Sequence, residues 1–428
     1  MIPLMTIWHY FRARRLTFAT RQALERHQQR QLSRFARRVL ARSPYFQPYC
    51  QLPMTSWPMM DKAVMMAEFD RMNTAGLKRD ELLACARRSE EDRDFTPNVS
   101  GFSVGLSSGT SGQRGLFVVS PREQQVWAGG MLAKMLPDGL RAGERVALFL
   151  RADNNLYHSV NNRWLSLSFY DLFAPFSEHV SRLEAWSPSI IVAPAQVLRE
   201  LALAVQRGEL HLSVKKVISV AEVLEPQDKQ LLQQVFGQVG EVYQATEGFL
   251  ASTCEHGTLH LNEEFIHIEP QWLDDERFTP IITDFTRSTQ PIVRYRLDDV
   301  LVKQKTPCAC GRVTMAIARI EGRSDDSLRL PNSNGEPQTV FADLCSRIIA
   351  NALPLHADYR LVQQGDAMLH LSAACSLPEL EACRDSLSQQ FALQGVDTSR
   401  LQWQLSAGEI APEFTQKRRR ITRLKESA

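Results

Sequence analysis

The sequence predicts an α/β protein: a large N-terminal domain of stacked, mostly parallel sheets with helices, a β-rich subdomain, and a small mobile α/β C-terminal domain. Three observations predict it. Short, nearly all-apolar runs at 146–150, 190–193 and 217–220 alternate with helical patterns at 196–206 and 226–236, as parallel strands covered on both faces require. From 278 to 326 strand-like runs such as 280–283 and 291–295 follow one another without long helices. Past Asp326 the alternation restarts, with helices over 339–351 and 377–391 and strands over 359–362 and 368–372. A boundary near Asp325 follows, so the chain divides into an N-terminal helical segment (1–60), a main domain (61–325) and a small closing domain (326–428).

In chain order, residues 8–42 read as one long helix, with Leu16, Phe18, Leu24, Leu32, Phe35, Val39 and Leu40 among arginines and Glu25 the sole acid. Pro44 stops it. Such a helix either lies on an anionic membrane or partner, or packs with its arginines solvated. Pro58-Met59-Met60-Asp61-Lys62 then leads into a Met-rich helix, and the cationic tail 416–425 reads as a solvated or disordered end.

Composition bounds the function. A net charge of +2 over 428 residues carries no electrostatic signature of nucleic acid binding. Eight cysteines, Cys308 and Cys310 one residue apart, do not form a secreted disulfide framework, so a reducing cytoplasm is expected. No signal peptide and no membrane span are expected either, because no apolar run approaches the length a span needs.

Chemistry concentrates first in Ser107-Ser108-Gly109-Thr110-Ser111-Gly112-Gln113-Arg114-Gly115. Glycines let backbone N–H groups approach an anion closely, and the hydroxyls add neutral donors, so the loop suits phosphate. It lacks the Gly-Lys-Ser/Thr of a Walker loop and the dinucleotide fingerprint, and a flexible linker has the same composition. Just past the apolar run ending at Leu150, Tyr157 and His158 fall where open α/β sheets bind ligands.

Three further elements follow: Tyr243-Gln244-Ala245-Thr246-Glu247-Gly248, Arg294-Tyr295-Arg296-Leu297-Asp298-Asp299, and Glu321-Gly322-Arg323-Ser324-Asp325-Asp326. Together with the loop, in this order, they resemble the adenylate-forming enzymes, over residues from about Lys62 to Asp326. The leading Pro58 and Lys62, the phrase 291–296 and the Cys-x-Cys-Gly-Arg at 308–312 most resemble the branch of phenylacetate-CoA ligases and coenzyme F390 synthetase-like proteins. The resemblance implies that Ser107, Ser108, Gly109, Thr110, Ser111 and Gly112 cradle ATP phosphates, that Thr246 touches phosphate and that Glu247 holds Mg²⁺. It also implies that Ala221, Glu222 and Tyr243 lie along the adenine and acyl pocket, that Asp299 accepts from the ribose hydroxyls and that Arg323 lies near the nucleotide. Asp325 becomes the hinge of the closing domain and Lys417 the residue that bridges carboxylate and α-phosphate. Arg114 and Gly115 replace the family's Pro-Lys pair, which leaves Arg114 as the cation for pyrophosphate.

The implied activity is ATP-dependent adenylation of a small carboxylic acid, an aromatic one in this branch, followed by transfer to a thiol of CoA or an acyl carrier protein. Two alternatives stay open: an enzyme that stops at the adenylate or passes it to another acceptor, and a non-catalytic nucleotide-binding homologue. Finally, Cys254, His256, Cys308 and Cys310 offer three thiolates and an imidazole in two pairs, as a closed structural Zn²⁺ site needs; His260 is an alternative to His256, and reduced loop cysteines are the alternative to a metal site.

Overall fold

In a computed structural model, which describes residues 3–94, 98–107, 114–136, 138–150, 164–323 and 327–424, the N-terminal stretch forms two helices where the apolar spacing predicts one. They are α1 (Leu4–Arg15) and α2 (Arg21–Arg38). Thr20 makes the break: its backbone is extended and its hydroxyl accepts the Ala23 N–H at 3.2 Å, capping α2. Buried Leu24, Leu32 and Phe35 seat α2 on the body, and the Gln28 amide donates to the Glu263 carbonyl at 2.9 Å. Asp61 caps α3 (Lys62–Ala67), and α4 (Phe69–Met72) and α5 (Arg79–Glu91) follow.

A three-stranded antiparallel sheet comes next, β1 (Asn98–Val99), β2 (Phe102–Leu106) and β3 (Leu116–Val119), with Leu106 opposite Leu116. The hydroxyl-rich stretch therefore falls between β2 and β3 in sequence, with Ser107 and Gly115 at the ends of the two strands. A capping box between Ser120 and Glu123 starts α6 (Pro121–Met135), against which α1 packs.

The parallel strands then alternate with helices as predicted: β4 (Glu144–Leu150), β5 (Leu165–Asp171), α7 (Phe176–Trp186), β6 (Ile190–Ala193), α8 (Ala195–Gln206), β7 (Lys216–Ser219), α9 (Pro226–Phe236) and β8 (Val239–Ala245). They lie in the order β5-β4-β6-β7-β8. Ile190, Ile191, Ala193 and Val217 are wholly buried, which is why these runs show no polar alternation.

Beyond β8 the same sheet continues antiparallel through β9 (Gly248–Thr253), β10 (Leu259–Leu261), β11 (Ile266–Trp272), β12 (Arg277–Asp284), β13 (Ile292–Arg296), β14 (Asp299–Lys303) and β15 (Ala316–Arg323). The β-rich stretch is thus one half of a twelve-stranded sheet whose other half is parallel, and β8 is the seam.

The closing unit has its own core, with Leu328, Ile349, Tyr359, Leu371, Leu387 and Phe391 fully buried. It opens with the hairpin β16 (Leu328–Pro331) and β17 (Pro337–Val340), so Thr339 and Val340 are strand, and the helix expected from 339 starts only as α10 (Ala342–Ala352). Then come β18 (Tyr359–Gln364), β19 (Met368–Ala373), α11 (Leu377–Leu393), β20 (Gln402–Ala407) and β21 (Ile421–Arg423). The tail is no solvated end: β21 pairs in parallel with β18, and Arg420 is 2% exposed.

Candidate active site

A cavity of about 1290 Å³ lies past the carboxyl ends of the parallel strands, between them and the β2–β3 hairpin. Ligands in open α/β sheets bind at this position. Its wall includes Val192, Val220, Ala221, Thr246 and Glu247 from the strand ends, Ser107 from the hairpin, and Lys417 from the tail.

Of the hydroxyl-rich loop, Ser107 and the closing pair Arg114 and Gly115 are described. The Ser107 N–H donates to the Gly115 carbonyl at 2.7 Å, and the Gly115 N–H donates to the Ser107 hydroxyl at 2.7 Å, which closes the neck. Ser108, Gly109, Thr110, Ser111 and Gly112 lie outside the described residues, as do Tyr157, His158 and Asp325. The side chain of Arg323 does too, although its backbone sits opposite Asp299 in the β14–β15 register. Arg114 is committed elsewhere, both its terminal nitrogens donating to Glu90 at 2.5 Å. Lys62 lines the cavity beside the same neck, its Cε 3.7 Å from where a Cβ on Gly115 would sit.

Glu247 occupies the turn that leaves the seam strand, at the cavity wall and 7% exposed. Tyr295 on β13 hydrogen-bonds it; burial first, then the Glu247 carboxylate, push the phenol well above its ordinary pKa, so that hydroxyl stays protonated as a donor. Across the sheet, the Tyr243 hydroxyl donates to Asp299 at 2.6 Å. Ala221 holds a left-handed backbone, φ 66°, a strained conformation of the kind found at binding sites. Glu222 beside it accepts the Gln196 N–H at 3.2 Å, the Gln196 amide at 2.9 Å and the Arg418 N–H at 3.2 Å.

Three wall residues escape the sequence reading. Arg287 staples the hairpin to the Glu247 turn by donating to the carbonyls of Thr246 at 3.2 Å and Val118 at 3.1 Å. Glu123 accepts the N–H groups of Ser288 at 2.5 Å and Thr289 at 2.9 Å; its capping box with Ser120 was visible as Ser-x-x-Glu, whereas nothing in sequence marks Arg287. Glu241 faces the cavity from β8, and burial pushes its carboxyl up to about 7.

Lys417 is held in place by its neighbours. The Gln416 carbonyl accepts the Gln196 amide at 2.8 Å, and Arg418 runs into a buried ion cluster. There Arg199, Arg418 and Arg420 converge on Asp228, with Arg199 at 2.9 Å and Arg420 at 3.0 Å. Arg420 also meets Glu225 at 2.8 Å and Asp358 at 2.7 Å, and Tyr359 donates to Glu225 at 2.5 Å. Burial alone would raise the Asp228 carboxyl, but Arg418, Arg420 and Arg199 hold it far below the usual range. Three guanidiniums and three carboxylates thereby join α8 and the start of α9 to the C-terminal stretch that carries Asp358, Arg418 and Arg420.

At the far edge of the seam, Cys254, His260, Cys308 and Cys310 bring their ligand atoms within 4.8 Å of one another. His256, the histidine expected from spacing, is exposed on a turn, where its backbone N–H donates to Cys254 Sγ at 3.4 Å. His260 replaces it because β10 pairs with β15 and faces the cysteine loop. The separations fit a tetrahedral ion: Cys254 Sγ to Cys308 Sγ is 3.7 Å, against about 3.8 Å for two thiolates on one Zn²⁺. His260 Nδ1 lies 3.2 Å from the Thr314 carbonyl, which leaves Nε2 turned to Cys310 Sγ at 3.3 Å.

No family model matches the chain. One curated relative, the indoleacetate–lysine synthetase of Pseudomonas savastanoi, is 25% identical over 162 residues, and the match spans 40% of that relative's length. Among solved structures the chain is similar to a 2-hydroxyisobutyryl-CoA ligase in the postadenylation state with its acyl-adenylate, at 18% identity and TM-score 0.68, covering 94% of this chain and 89% of that one. It is also similar to the GH3.15 acyl acid amido synthetase, at 12% identity and TM-score 0.58 over 89% and 86% of the two chains. A benzoate CoA ligase from Burkholderia xenovorans follows at 12% identity and TM-score 0.51, over 75% and 68%. At these identities the likeness is one of fold: this chain shares the fold of those two CoA ligases and that amido synthetase.

Proposed function

We propose that this protein uses ATP to activate a carboxylic acid as its acyl-adenylate and then passes the acyl group to a thiol. What supports this most is convergence. The neck of the hydroxyl-rich loop, Glu247, Asp299 and Lys417 come from four distant parts of the chain and line one cavity.

In this reading a carboxylate oxygen attacks the α-phosphorus and pyrophosphate leaves. The loop N–H and hydroxyl groups hold the leaving phosphates, and Lys62, on the cavity wall beside the loop neck, adds a cation. Asp299, positioned by Tyr243, accepts from the ribose hydroxyls, and Ala221 and Glu222 flank the base. Lys417 bridges the carboxylate and the α-phosphate, so its role is positioning and charge stabilisation. One buried carboxylate, Glu247, oriented by Tyr295, suits a Mg²⁺ that takes its other ligands from phosphate and water. Mg²⁺ held there would neutralise charge on the departing pyrophosphate. Cys254, His260, Cys308 and Cys310 would hold a structural Zn²⁺ with no open position for chemistry.

The acid is aromatic and the thiol is that of CoA or a carrier protein, in keeping with the resemblance to phenylacetate-CoA ligases and with Tyr243 and Phe249 on the cavity wall. A second reading, transfer to an amine, is favoured by the curated relative, a lysine-conjugating synthetase. ATP–pyrophosphate exchange with a panel of benzoates, cinnamates, phenylacetates and fatty acids tests the proposal. Exchange should depend on an aromatic acid and vanish in Glu247→Gln. No exchange with any acid would identify a non-catalytic nucleotide binder, and near wild-type exchange in Glu247→Gln would overturn the metal assignment.

A further inference from the structure

The outward face of α1 is more apolar than the face it buries. Thr6, His9, Tyr10 and Ala13 turn inward, and α6 approaches so closely that a Cβ on Gly129 would lie 2.6 Å from that of His9. Leu4, Met5, Trp8 and Phe11 turn outward, with Leu4 83% and Trp8 52% exposed. Their spacing puts them on one stripe, which Arg12 and Arg15 continue, and the Arg12 guanidinium sits 5.4 Å from the Trp8 ring. Folding alone gives such a stripe no reason to exist, because a helix ordinarily turns its large apolar residues toward the core.

The charge around the stripe has one sign. Ten of the 50 Lys and Arg residues, but one of the 48 Asp and Glu residues, fall within residues 1–42, so the remainder of this nearly neutral chain is net negative. On α2, Arg26, Arg30, Arg34, Arg37 and Arg38 are exposed. Arg12 of α1 and Arg30 of α2 both lie near enough to His27 to act on its charge, which joins the two basic rows. The helix that carries the stripe starts at the cavity, whose wall includes Pro3 and Thr6.

We propose that α1 and α2 form a docking face for an anionic lipid bilayer, with Leu4, Met5, Trp8 and Phe11 entering the headgroup layer and the arginines meeting lipid phosphates. A fluid lipid layer moulds to a convex helix face without a preformed groove, its phosphates match the rows of arginines, and Trp beside Arg suits the boundary between apolar and charged layers. Docked in this way, the protein would hold one end of its cavity at the membrane surface. The proposal does not depend on the reaction assigned to the cavity.

Flotation of the full chain with vesicles tests it, using phosphatidylcholine alone and phosphatidylcholine in which about one third of the lipid is phosphatidylglycerol. The protein should float with the anionic vesicles only and be released by high salt. Arg26→Gln with Arg30→Gln should lower partitioning roughly tenfold or more, at about a fivefold loss per surface charge. Trp8→Ser with Phe11→Ser should abolish the blue shift of tryptophan emission on binding and lower partitioning too. Both double variants should melt like the parent, because these side chains are exposed. No flotation with anionic vesicles, flotation unchanged in both double variants, or capture by an acidic carrier protein in place of vesicles would each overturn the proposal.

Discussion

Asp228→Asn should loosen the tail and slow adenylate formation together. The substitution keeps the side-chain volume and removes one charge from the centre of the cluster, leaving Arg199, Arg418 and Arg420 with only Glu225 and Asp358. Arg199 and Arg420 are almost wholly buried, at 1% and 2% exposure, so water cannot take over the lost partner. Breaking a buried pair on one side costs about 3 to 5 kcal/mol. Hydrogen exchange is the suitable assay, because a protein whose described residues form several separate cores need not unfold in one step. Amides of β21 should lose protection equivalent to about 3 to 5 kcal/mol, while those of β6 and β7 stay unchanged. Pyrophosphate exchange should fall as well, since Lys417 stands between Gln416 and Arg418, both anchored by these contacts. Acid should mimic the variant. Asp358, which burial would raise, is instead held down at about 2 by Arg420 and Arg418, and Asp228 is held lower still. Their contribution is therefore complete above the ordinary carboxylate range and lost as pH falls from about 4 toward 2. Unchanged β21 protection in Asp228→Asn would refute the latch and the positioning of Lys417 that rests on it.

Lys417→Ala should slow adenylate formation roughly a hundredfold, while transfer from a supplied acyl-adenylate stays near normal; equal losses in both steps would count against its role. Arg418→Ala should also be severe and should lower stability, because Arg418 meets buried Asp228, and a mild effect would contradict the cluster. The purified protein should contain about one zinc per chain, and Cys308→Ser with Cys310→Ser should lose both the metal and thermal stability. In chelator-treated protein, the Cys310 backbone N–H and then the Thr258 hydroxyl lower the Cys308 thiol to about 6, so its alkylation should accelerate through that pH and stop when zinc is restored. Metal-free protein of undiminished stability would remove the zinc assignment.

Much of the fold was legible because burial leaves a plain mark. The strands β4, β6 and β7 are covered on both faces, and their runs admit almost no polar residue; α8 and α9 end within a residue or so of where their periodicity ends. The break between α1 and α2 was not legible, because Leu16 and Phe18 keep the apolar spacing intact across Thr20, whose capping role depends on extended backbone. The helix expected from 339 failed for a similar reason: Thr339 and Val340 fit either period, and pairing with β16 decides for strand. In the site, Tyr243, Glu247 and Asp299 were readable as short phrases. Arg287 was not, since its partners Val118 and Thr246 are remote in sequence and are backbone carbonyls. His256 looked the better ligand only by proximity to Cys254. Pairing of β10 with β15 carries His260 to Cys310, and pairing across strands has no signature at that spacing.

The tail shows why a charge run cannot be judged alone. From sequence, the cations of 416–425 have no acid beside them within the run, and a solvated end follows. Asp228 stands 190 residues before Arg418, and only the fold brings it underneath. Once buried, the cluster constrains the reaction cycle. The resemblance implies that the closing unit swings about residue 325 between adenylation and thiol transfer. That swing would strip Arg418 and Arg420 from Asp228 and Glu225, leaving Asp228 with Arg199 alone. Each buried charge left unpaired costs several kcal/mol. A thiol step that needs the swing must therefore recover that free energy from binding the acceptor, whereas an acceptor small enough to reach the adenylate with the latch closed need not. CoA or a carrier protein would lower that cost by bringing its own anions to Arg418 and Arg420. Transfer rates in Asp228→Asn separate the two cases. If the swing limits transfer, loosening the latch should speed thiol transfer from supplied acyl-adenylate even as adenylation slows. If transfer proceeds with the latch closed, the variant should slow adenylation and leave transfer unchanged.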